Sequence, residues 1–597
     1  MRRRLALLLL VAACTPRPRH TGAEEDTPEP KPGEPRVVEI DLSEGAPESS
    51  GDRILSLPAA RTYTGLVRTL ERVLEADETA GVFVKLGNRS LDFARAEELG
   101  RLLARFRERK RPVVCHAHTY SNASALVALS GCGRIWISAA GSFEAVGLVA
   151  ELVHVRGLLD KLKVQADFLS MGEYKGGAEP FTREEPSEET REAWTAVLKS
   201  LRQSWLEGAE RGRPDRGIAK ALEQGPYTPT AAKERGLVDA IGFDDEAKNE
   251  AKRLAKTELV RREFGPMTPG KPGIDIGQIV RVIAGADDAG SGRPRVAVVP
   301  AEGSISIEAG GPFESGGISA RAFVRTLRRL REDESVRAVV LRIDSPGGSA
   351  LASDLIWHEV MELRKKKPIV ASVGSMAASG GYYIASGTNR VIAERTSIVG
   401  SIGVFGGKLV IGPALGELGI RTYTLTASPD PGAAARGAYL SPLVPWDDGT
   451  RERVREHMQS VYDLFVERVA TGRKVPAERV RAAAEGRVWT GAQGKELGLV
   501  DELGGLSHAL DVARRLANLD RDVPVTVEGP REGLLEILLL GEGASESEIR
   551  AALSRFEAQH ERLLALAKPL RAHLGTLAPL LAGERVVLAP PHAAIVR

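Results

Sequence analysis

The sequence predicts an α/β protein of two tandem domains, each with a largely parallel sheet, followed by a mainly helical tail. Short β-branched apolar runs alternate with longer amphipathic stretches along most of the chain, as strands and helices alternate in α/β domains. Short sequences also recur at nearly constant spacing, which indicates that one domain has been duplicated. A length of 597 residues allows three or four domains of about 100 to 200 residues each.

The composition excludes several classes of protein. The chain has 82 Lys and Arg against 80 Asp and Glu, a net charge of +2, which removes the electrostatic argument for nucleic acid as a partner. A content of 43% hydrophobic and 27% charged residues is typical of a globular protein. Three cysteines are too few for a disulfide framework or a four-cysteine zinc site.

Residues 1–13 have the form of an export signal of the lipoprotein type. Arginines at 2–4 precede a short apolar run at 5–13, and Cys14 follows. As a helix that run would extend about 14 Å, too little to span a hydrocarbon core of roughly 30 Å. The sequence VAAC at 11–14 resembles the bacterial lipobox, so we expect cleavage before Cys14 and a lipid anchor on its thiol. An ordinary cleaved signal or a short uncleaved anchor is the alternative.

Export bears on the two remaining cysteines. Cys115 and Cys132 would then lie in an oxidising compartment, where they could form a disulfide. Two buried free thiols are an equal alternative, because the distance between the two residues cannot be read from the sequence.

The duplication is carried by several matched segments. The sequence VRTL at 67–70 recurs at 324–327, and GLVD at 236–239 recurs at 498–501. Several further matches keep an offset of 256 residues, as between Ser130 and Ser386. From these matches and from the Pro- and Gly-rich stretches we predict the following organisation: a signal at 1–13, a disordered tether at 14–35, a first domain at 36–265, a linker at 266–293, a second domain at 294–515 and a helical extension at 516–597.

The elements of the second domain are predicted in order from its hydrophobic pattern. They are a strand at 296–299, a helix at 320–331, a strand at 339–343, a helix at 351–366, a strand at 369–373, a helix that begins near Ser379 and a strand at 390–393. In the tail, residues 547–567 have helical patterning and residues 585–589 form a last apolar run.

Two glycine-rich turns follow strands of the second domain, DSPGGS at 344–349 and GSMAASGG at 374–381. Because the carboxyl ends of parallel strands meet at one edge of a sheet, both turns can face one site. Ser379 could present its hydroxyl at the start of a helix, and the N–H groups of Gly380 and Gly347 could form an oxyanion hole. Turns of this kind also serve packing alone or bind phosphate.

A serine nucleophile needs a base. No histidine lies between His358 and His457, although a triad partner can come from anywhere in the fold. The alternative is a lysine whose pKa is lowered by burial. Lys175 lies in an unusual glycine-rich, aromatic setting, MGEYKGGAEPF at 171–181, whereas most lysines are solvated surface residues.

Taken together, four motifs resemble the signal peptide peptidase A (protease IV) family in its long, duplicated form. They are DSPGG at 344–348, SMAASGGYYI at 375–384, GSIGV at 400–404 and GEYKGGAEPF at 172–181. The resemblance covers about residues 36–515 and implies a ClpP/crotonase-like fold for both domains. It also implies a serine peptidase with a Ser-Lys dyad, in which Ser379 is the nucleophile, Lys175 the general base, Ser401 the residue that orients the lysine, and Gly347 and Gly380 the oxyanion donors.

The same resemblance implies apolar peptide substrates left by signal peptidase, a homotetramer with its sites inside, a place in the bacterial cell envelope, and no cofactor or metal. At the offset of 256, Ser379 corresponds to Ala123 and Lys175 to Pro431, so a complete site needs both domains. Ser124 lies one position out of register, and we expect no catalytic role for it. The alternatives are a crotonase-type acyl-CoA enzyme and an inactive scaffolding lipoprotein.

Overall fold

The computed structural model describes residues 33–48, 62–88, 91–214, 216–266, 292–308 and 317–529, and two short strands at 587–588 and 595–596. The predicted signal, Cys14, most of the tether, most of the linker and the helical pattern at 547–567 lie outside the described residues.

The first unit is built on a parallel sheet. Its strands are β1 (Arg36–Leu42), β2 (Thr79–Leu86), β3 (Val113–Ala117), β4 (Arg134–Ile137), β5 (Ala150–Glu151), β6 (Gln165–Met171), β7 (Ala240–Ile241) and β8 (Val260–Phe264). Its helices are α1 (Tyr63–Glu75), α2 (Phe93–Glu108), α3 (Asn122–Gly131), α4 (Arg156–Lys161), α5 (Glu179–Thr182), α6 (Glu188–Gly212), α7 (Ile218–Ala221), α8 (Pro229–Glu234) and α9 (Asp244–Ala255). The sheet has the order β7-β4-β3-β2-β1-β8, and its neighbouring strands are parallel.

The second unit repeats this plan with additions. Its strands are β9 (Arg295–Glu302), β10 (Ile305–Ser306), β11 (Ile318–Ser319), β12 (Val336–Ser345), β13 (Gly348–Ser349), β14 (Ile369–Ala378), β15 (Arg390–Ala393), β16 (Ile398–Gly400), β17 (Val404–Val410), β18 (Val488–Thr490), β19 (Glu502–Leu503) and β20 (Val525–Val527). Its helices are α10 (Ala320–Glu332), α11 (Ala350–Lys366), α12 (Gly380–Ser386), α13 (Gly412–Glu417), α14 (Ala433–Gly437), α15 (Asp448–Arg473), α16 (Ala477–Ala483), α17 (Gly491–Leu497) and α18 (Leu506–Leu516). The elements predicted between residues 296 and 393 are confirmed, and the tail adds β21 (Val587–Leu588) and β22 (Ile595–Val596).

The two sheets have the same strand order, which confirms the duplication. The path β7-β4-β3-β2-β1-β8 of the first unit corresponds to β19-β15-β14-β12-β9-β20 of the second. Equivalent residues also make equivalent bonds, since Asp239 accepts the N–H of Ile135 at 2.8 Å and Asp501 accepts the N–H of Val391 at 2.7 Å. Strand β20, residues 525–527, is the edge strand of the second sheet next to β9. These residues lie within the segment that the sequence predicts to be the tail.

The strands of the second sheet are apolar on both faces because both faces are covered. In β12 the run Val339, Val340, Leu341 is fully buried, as expected for a central parallel strand between two layers. One of those layers comes from the first unit. A continuous apolar cluster joins Leu66 of α1 to Val298 of β9 and Val340 of β12. The two units therefore share a core.

A buried ion network crosses the same interface. Oε1 of Glu48, in the first unit, accepts hydrogen bonds from Nη2 of Arg342 on β12 at 2.7 Å and from Nε of Arg95 on α2 at 3.2 Å. All three side chains are buried. Burial raises the pKa of Glu48, but Arg342 and Arg95 outweigh it and hold that pKa below its ordinary value. One carboxylate thus pairs with a guanidinium from each unit.

We expect Glu48→Ala to lower the free energy of unfolding by about 3–5 kcal/mol, because loss of one member of a buried charge network leaves the others uncompensated. Urea denaturation of the full chain measures the loss. The matched control is Glu75→Ala, whose carboxylate pairs with Arg109 at the surface, where the two side chains are 57% and 42% exposed. Exposed pairs contribute about 0–1 kcal/mol, so equal losses in the two variants would contradict the prediction.

Two further features bear on the sequence-based expectations. Cys115 and Cys132 form a disulfide, with their Cα atoms 6.0 Å apart, so the first of the two alternatives is the one observed. Within the described ranges, no helix combines the length and the apolar character that a membrane span requires.

Candidate active site

Ser379 lies in a sharp turn between β14 and α12. Its φ of 55° and ψ of −115° are values that a residue with a Cβ adopts only under strain. Two backbone hydrogen bonds hold it there, from Ser379 N–H to the Gly400 carbonyl at 2.7 Å and from Tyr383 N–H to the Ser379 carbonyl at 2.8 Å. A strained strand-to-helix turn of this kind presents its side chain at the edge of the sheet.

Ser401 occupies the corresponding position after the neighbouring strand. Strands β14 and β16 are parallel, with Ala378 opposite Gly400, so the residues that follow them lie side by side. Ser401 also has a positive φ, 55°, and its N–H donates to the Arg487 carbonyl at 2.7 Å. The two predicted serines therefore meet at one edge.

Lys175 reaches this edge from the first unit. Strand β6 pairs antiparallel with β17 of the second unit, in a register that places Met171 opposite Val404. Because Val404 is three residues beyond Ser401, the end of β6 lies beside the Ser401 loop. The chain then turns at Gly172, where φ is 104°, and the Lys175 N–H donates to the Gly172 carbonyl at 3.1 Å.

A loop of the second unit packs directly against the Lys175 backbone. Tyr174 N–H donates to the Glu485 carbonyl and Gly486 N–H donates to the Ile402 carbonyl, both at 2.7 Å. Gly486 has a φ of 78°, and a Cβ there would lie 2.6 Å from the Lys175 Cα, so a larger residue would displace the lysine. Nothing in the sequence around Gly486 marks it, since a loop glycine does not show what packs against it.

Three oxygen atoms surround the Lys175 amine. Its Nζ lies 2.8 Å from Ser379 Oγ, 2.9 Å from the Ser401 carbonyl oxygen and 3.0 Å from Ser401 Oγ. A carbonyl oxygen can only accept, so one amine hydrogen points to it, and Ser401 Oγ can accept a second. A neutral amine then has one lone pair left, directed at Ser379 Oγ.

Burial favours the neutral form of that amine. The Lys175 side chain is 2% exposed, and Ser379 and Ser401 are fully buried. Loss of hydration lowers the pKa of Lys175 well below its ordinary value of 10.5. The arrangement therefore offers a hydroxyl and a base that can take its proton at a pH well below 10.5.

The two predicted oxyanion donors lie together but differ in their bonding. Gly380 is the first residue of α12, so its N–H has no acceptor within the helix. A Cβ on Gly380 would lie 3.2 Å from the Gly347 Cα, which shows how closely the two turns approach. The Gly347 N–H already donates to Ser345 Oγ at 3.1 Å. Gly380 is therefore the freer donor of the two.

A carboxylate beside the site ties it to the first unit. Asp344 accepts hydrogen bonds from Met376 N–H at 3.2 Å and from Arg95 Nη2 at 3.3 Å. Burial and the nearby charge of Asp92 raise the pKa of Asp344 to about 7. The sequence predicted a functional turn that begins at Asp344. It did not predict the contact between Asp344 and Arg95, because that contact depends on how the two units pack.

The serine of the equivalent turn in the first unit caps a helix. The offset of 256 pairs Ser379, the N-cap of α12, with Ala123, which is the second residue of α3. Ser124 Oγ donates to Asn88 Oδ1 at 2.9 Å and accepts the Ser121 N–H at 2.8 Å, and Ser121 is the N-cap of α3. The hydroxyl of Ser124 thus already makes hydrogen bonds to neighbouring residues of the first unit.

Comparison with known proteins identifies similar sequences. The profile of Peptidase family S49 matches residues 105–258 and 361–520, one range in each unit. Serine protease SPPA, chloroplastic, of Arabidopsis thaliana is 30% identical over 457 residues, which are 75% of this chain and 64% of that protein. Protease 4 of Haemophilus influenzae is 30% identical over 448 residues, 73% of this chain and 69% of that protein.

A second Protease 4, from Salmonella typhi, is 30% identical over 478 residues, 77% of this chain and 70% of that protein. The chain therefore spans just under two thirds of the Arabidopsis relative and slightly more of the two bacterial ones. Among solved structures, a mutant of the 1510-N membrane-bound stomatin-specific protease aligns with 40% of this chain and 99% of its own, at 14% identity and a TM-score of 0.25.

Proposed function

The chain belongs to peptidase family S49, and on this premise we propose that it is a serine endopeptidase with Ser379 as nucleophile and Lys175 as general base. The observation that carries the proposal is the buried contact of 2.8 Å between Lys175 Nζ and Ser379 Oγ. Ser401 is proposed to orient the amine through its carbonyl and hydroxyl oxygens. The reaction needs no cofactor or metal.

In the acylation step, the neutral Lys175 amine takes the hydroxyl proton of Ser379 while Oγ attacks the carbonyl carbon of the scissile peptide bond. The developing oxyanion is stabilised by the Gly380 N–H, and by the Gly347 N–H once it leaves or shares its bond to Ser345 Oγ. The lysine, now an ammonium, gives its proton to the amine that leaves. The products of this step are a free amine and an acyl ester on Ser379.

Deacylation repeats the same proton transfers with water. Lys175 takes a proton from the water molecule that attacks the ester, and then returns a proton to Ser379 Oγ. Two bonds from the amine to Ser401 keep its lone pair directed at the reacting oxygen in both steps. The complete cycle restores the neutral lysine and the free hydroxyl.

We assign apolar or unfolded peptides as substrates, and in particular signal peptides already cleaved from exported proteins. The support is the motif resemblance and the names SPPA and Protease 4 of the relatives. A lipid anchor on Cys14 would place the enzyme at a membrane of the bacterial cell envelope, with its catalytic units in the periplasm. Nucleic acid is not an expected partner, since the net charge is only +2.

We also propose that the protein is a homo-oligomer, with a tetramer as the expected form. The segment that follows β17 carries large apolar side chains that project into solvent. Leu418 is 76% exposed, Tyr423 82% and Leu425 92%. Exposed apolar side chains that lie this close in the sequence are typical of a protein contact surface, and a second copy of the chain is the partner we assign to them.

Two alternatives predict a different chemistry at Ser379. A crotonase-type acyl-CoA enzyme would use carboxylates as acid and base, and a scaffolding lipoprotein would have no reactive serine. Membership of a peptidase family favours neither.

Covalent labelling separates the proposal from both alternatives. A fluorophosphonate probe should label the full chain at Ser379, as peptide mapping by mass spectrometry would show, because the neutral lysine makes that hydroxyl nucleophilic. Labelling should be lost in Lys175→Ala and should persist in Ser124→Ala. A full chain that takes up no label would overturn the assignment.

A further inference from the structure

A cleft of about 490 Å³ lies at the interface between the two units. Its walls are α1 and α2 of the first unit, and α18 and residues 521–525 of the second. Val525 begins β20 and pairs with Val296 near the start of β9, whereas Ser379 follows the end of β14. Because β20, β9, β12 and β14 are parallel, the cleft and the candidate active site lie at opposite edges of the sheet. A cleft of this volume can hold a small molecule.

The charges that line this cleft do not balance. Nine of its twelve lining residues are charged, and five of these are arginines. Two of the nine have partners outside the cleft, since Arg72 pairs with Glu263 and Glu75 pairs with Arg109, each at 2.7 Å. Four arginines then face three carboxylates.

The surplus of positive charge lies on arginines from both units. Within the described ranges, the guanidinium groups of Arg68 and Arg105 donate no hydrogen bond and form no ion pair. Asp511 is shared by Arg514 at 3.4 Å and Arg521 at 3.7 Å. Arg514 is only 8% exposed, and its buried Nε has no hydrogen-bond partner among the described residues. A buried donor without a protein partner indicates a bound water or ligand.

Two of these arginines repel each other across the interface. Burial, and then the positive charge of Arg514, lower the pKa of Arg68. Glu71 compensates little, because burial raises its pKa and its carboxylate already accepts a hydrogen bond from Ser507 Oγ. Asp522 is exposed to solvent. An anion held between the two guanidinium groups would remove the repulsion.

We propose that this cleft binds a small anion that carries a phosphate group, held by Arg68 and Arg105 of the first unit and Arg514 of the second. Guanidinium groups form paired hydrogen bonds with phosphate oxygens, and a phosphate group offers at least three such oxygens to three arginines. The site uses neither Ser379 nor Lys175, so this inference goes beyond the proposed peptidase function and does not depend on it.

A bound anion would contact both units at once. It would therefore stabilise the folded chain, in which the proposed nucleophile and base come from different units. The effect differs from substrate binding, since the cleft is at the other edge of the sheet from Ser379.

Isothermal titration calorimetry of the full chain tests the site, with inorganic pyrophosphate and glycerol 3-phosphate as the probes. Each probe should bind saturably at millimolar concentration. Arg68→Gln and Arg105→Gln should each weaken binding by at least about tenfold, because each removes charge-assisted hydrogen bonds. The matched control is Arg253→Gln, which removes an arginine that is 68% exposed and pairs with Glu250 on α9, and it should bind as the unaltered chain does.

Urea denaturation separates a ligand site from a structural role for Arg68. Because this guanidinium has no ion pair within the described ranges and is repelled by Arg514, Arg68→Gln should unfold at no lower urea concentration than the unaltered chain in buffer without phosphate. Pyrophosphate should raise the urea midpoint of the unaltered chain and leave that of Arg68→Gln unchanged. A lower midpoint of the variant without phosphate would assign Arg68 to the fold instead and overturn the proposal.

The two probes also distinguish the sources of the phosphate group. Tighter binding of glycerol 3-phosphate would identify a phospholipid headgroup, and tighter binding of pyrophosphate a soluble diphosphate. No saturable binding of either probe, or equal affinity in Arg68→Gln and the unaltered chain, would overturn the anion site. Neither result would affect labelling of Ser379, so the proposed function would stand or fall separately.

Discussion

Ser379→Ala and Lys175→Ala should each lower the rate of hydrolysis of an apolar peptide by about 10⁴-fold or more. The first removes the atom that forms the acyl ester. The second removes the amine 2.8 Å from that atom, in a site where both groups are buried and bulk water cannot act as the base. Because the two residues act as a unit, the double variant should be no less active than either single one. Initial rates at saturating peptide measure the loss.

Two matched controls separate catalysis from folding. Ser124→Ala removes the hydroxyl of the equivalent turn in the first unit, and Lys408→Ala removes a lysine on β17 whose Nζ donates to the Val444 carbonyl at 2.7 Å. Both should hydrolyse the peptide at close to the rate of the unaltered chain. An active Lys175→Ala enzyme would refute the dyad.

Mixing the two inactive variants tests where the dyad is formed. The pair lies within one chain in this structure, so a mixture of Ser379→Ala and Lys175→Ala chains should stay inactive. Recovered activity would mean that the lysine of one chain serves the serine of another.

The second large effect is on pH dependence. Only the neutral form of Lys175 can take a proton, so kcat should fall about tenfold for each pH unit below the pKa of that amine. Burial lowers this pKa well below 10.5, so the plateau of activity should begin well on the acid side of that value. A rate that rises only near pH 10.5 would show that the amine is solvated.

The same shift predicts a change in stability. Between the lowered pKa and about 10.4, the unfolded chain binds a proton at Lys175 that the folded chain does not, so unfolding becomes harder by about 1.4 kcal/mol for each pH unit of increase. This gain in the free energy of unfolding is complete above the pKa that Lys175 has in the unfolded chain. It is lost as the pH falls to the lower pKa that Lys175 has in the folded chain. Lys175→Met has no such group, so it should be more stable than the unaltered chain, by an amount that shrinks as the pH rises.

Urea denaturation at several pH values between 7 and 10 measures this difference. Ser379→Ala is the control, because it is inactive but keeps the amine, and it should follow the pH dependence of the unaltered chain. A constant difference between Lys175→Met and the unaltered chain across that range would contradict the predicted pKa shift.

The sequence by itself determined the α/β class, the duplication and the order of elements in the second unit. These follow from local periodicity and from matched segments, which need no knowledge of long-range contacts. The candidate residues Ser379 and Lys175 stood out in glycine-rich segments, and the family resemblance of the surrounding motifs added Ser401. The offset of 256 also indicated that one unit supplies the lysine and the other the serine.

Only the tertiary structure decided how these parts meet. The pairing of β6 with β17 brings Lys175 to Ser379, and strands that are more than 200 residues apart carry no sign of their register in local sequence. The roles of Gly486 and Glu48 depend on the distant residues that they contact. The sequence next to them does not indicate those contacts. Strand β21 is two residues long, too short for a periodicity, and its place beside Gly348 depends on two edges that exist only once the second unit has folded.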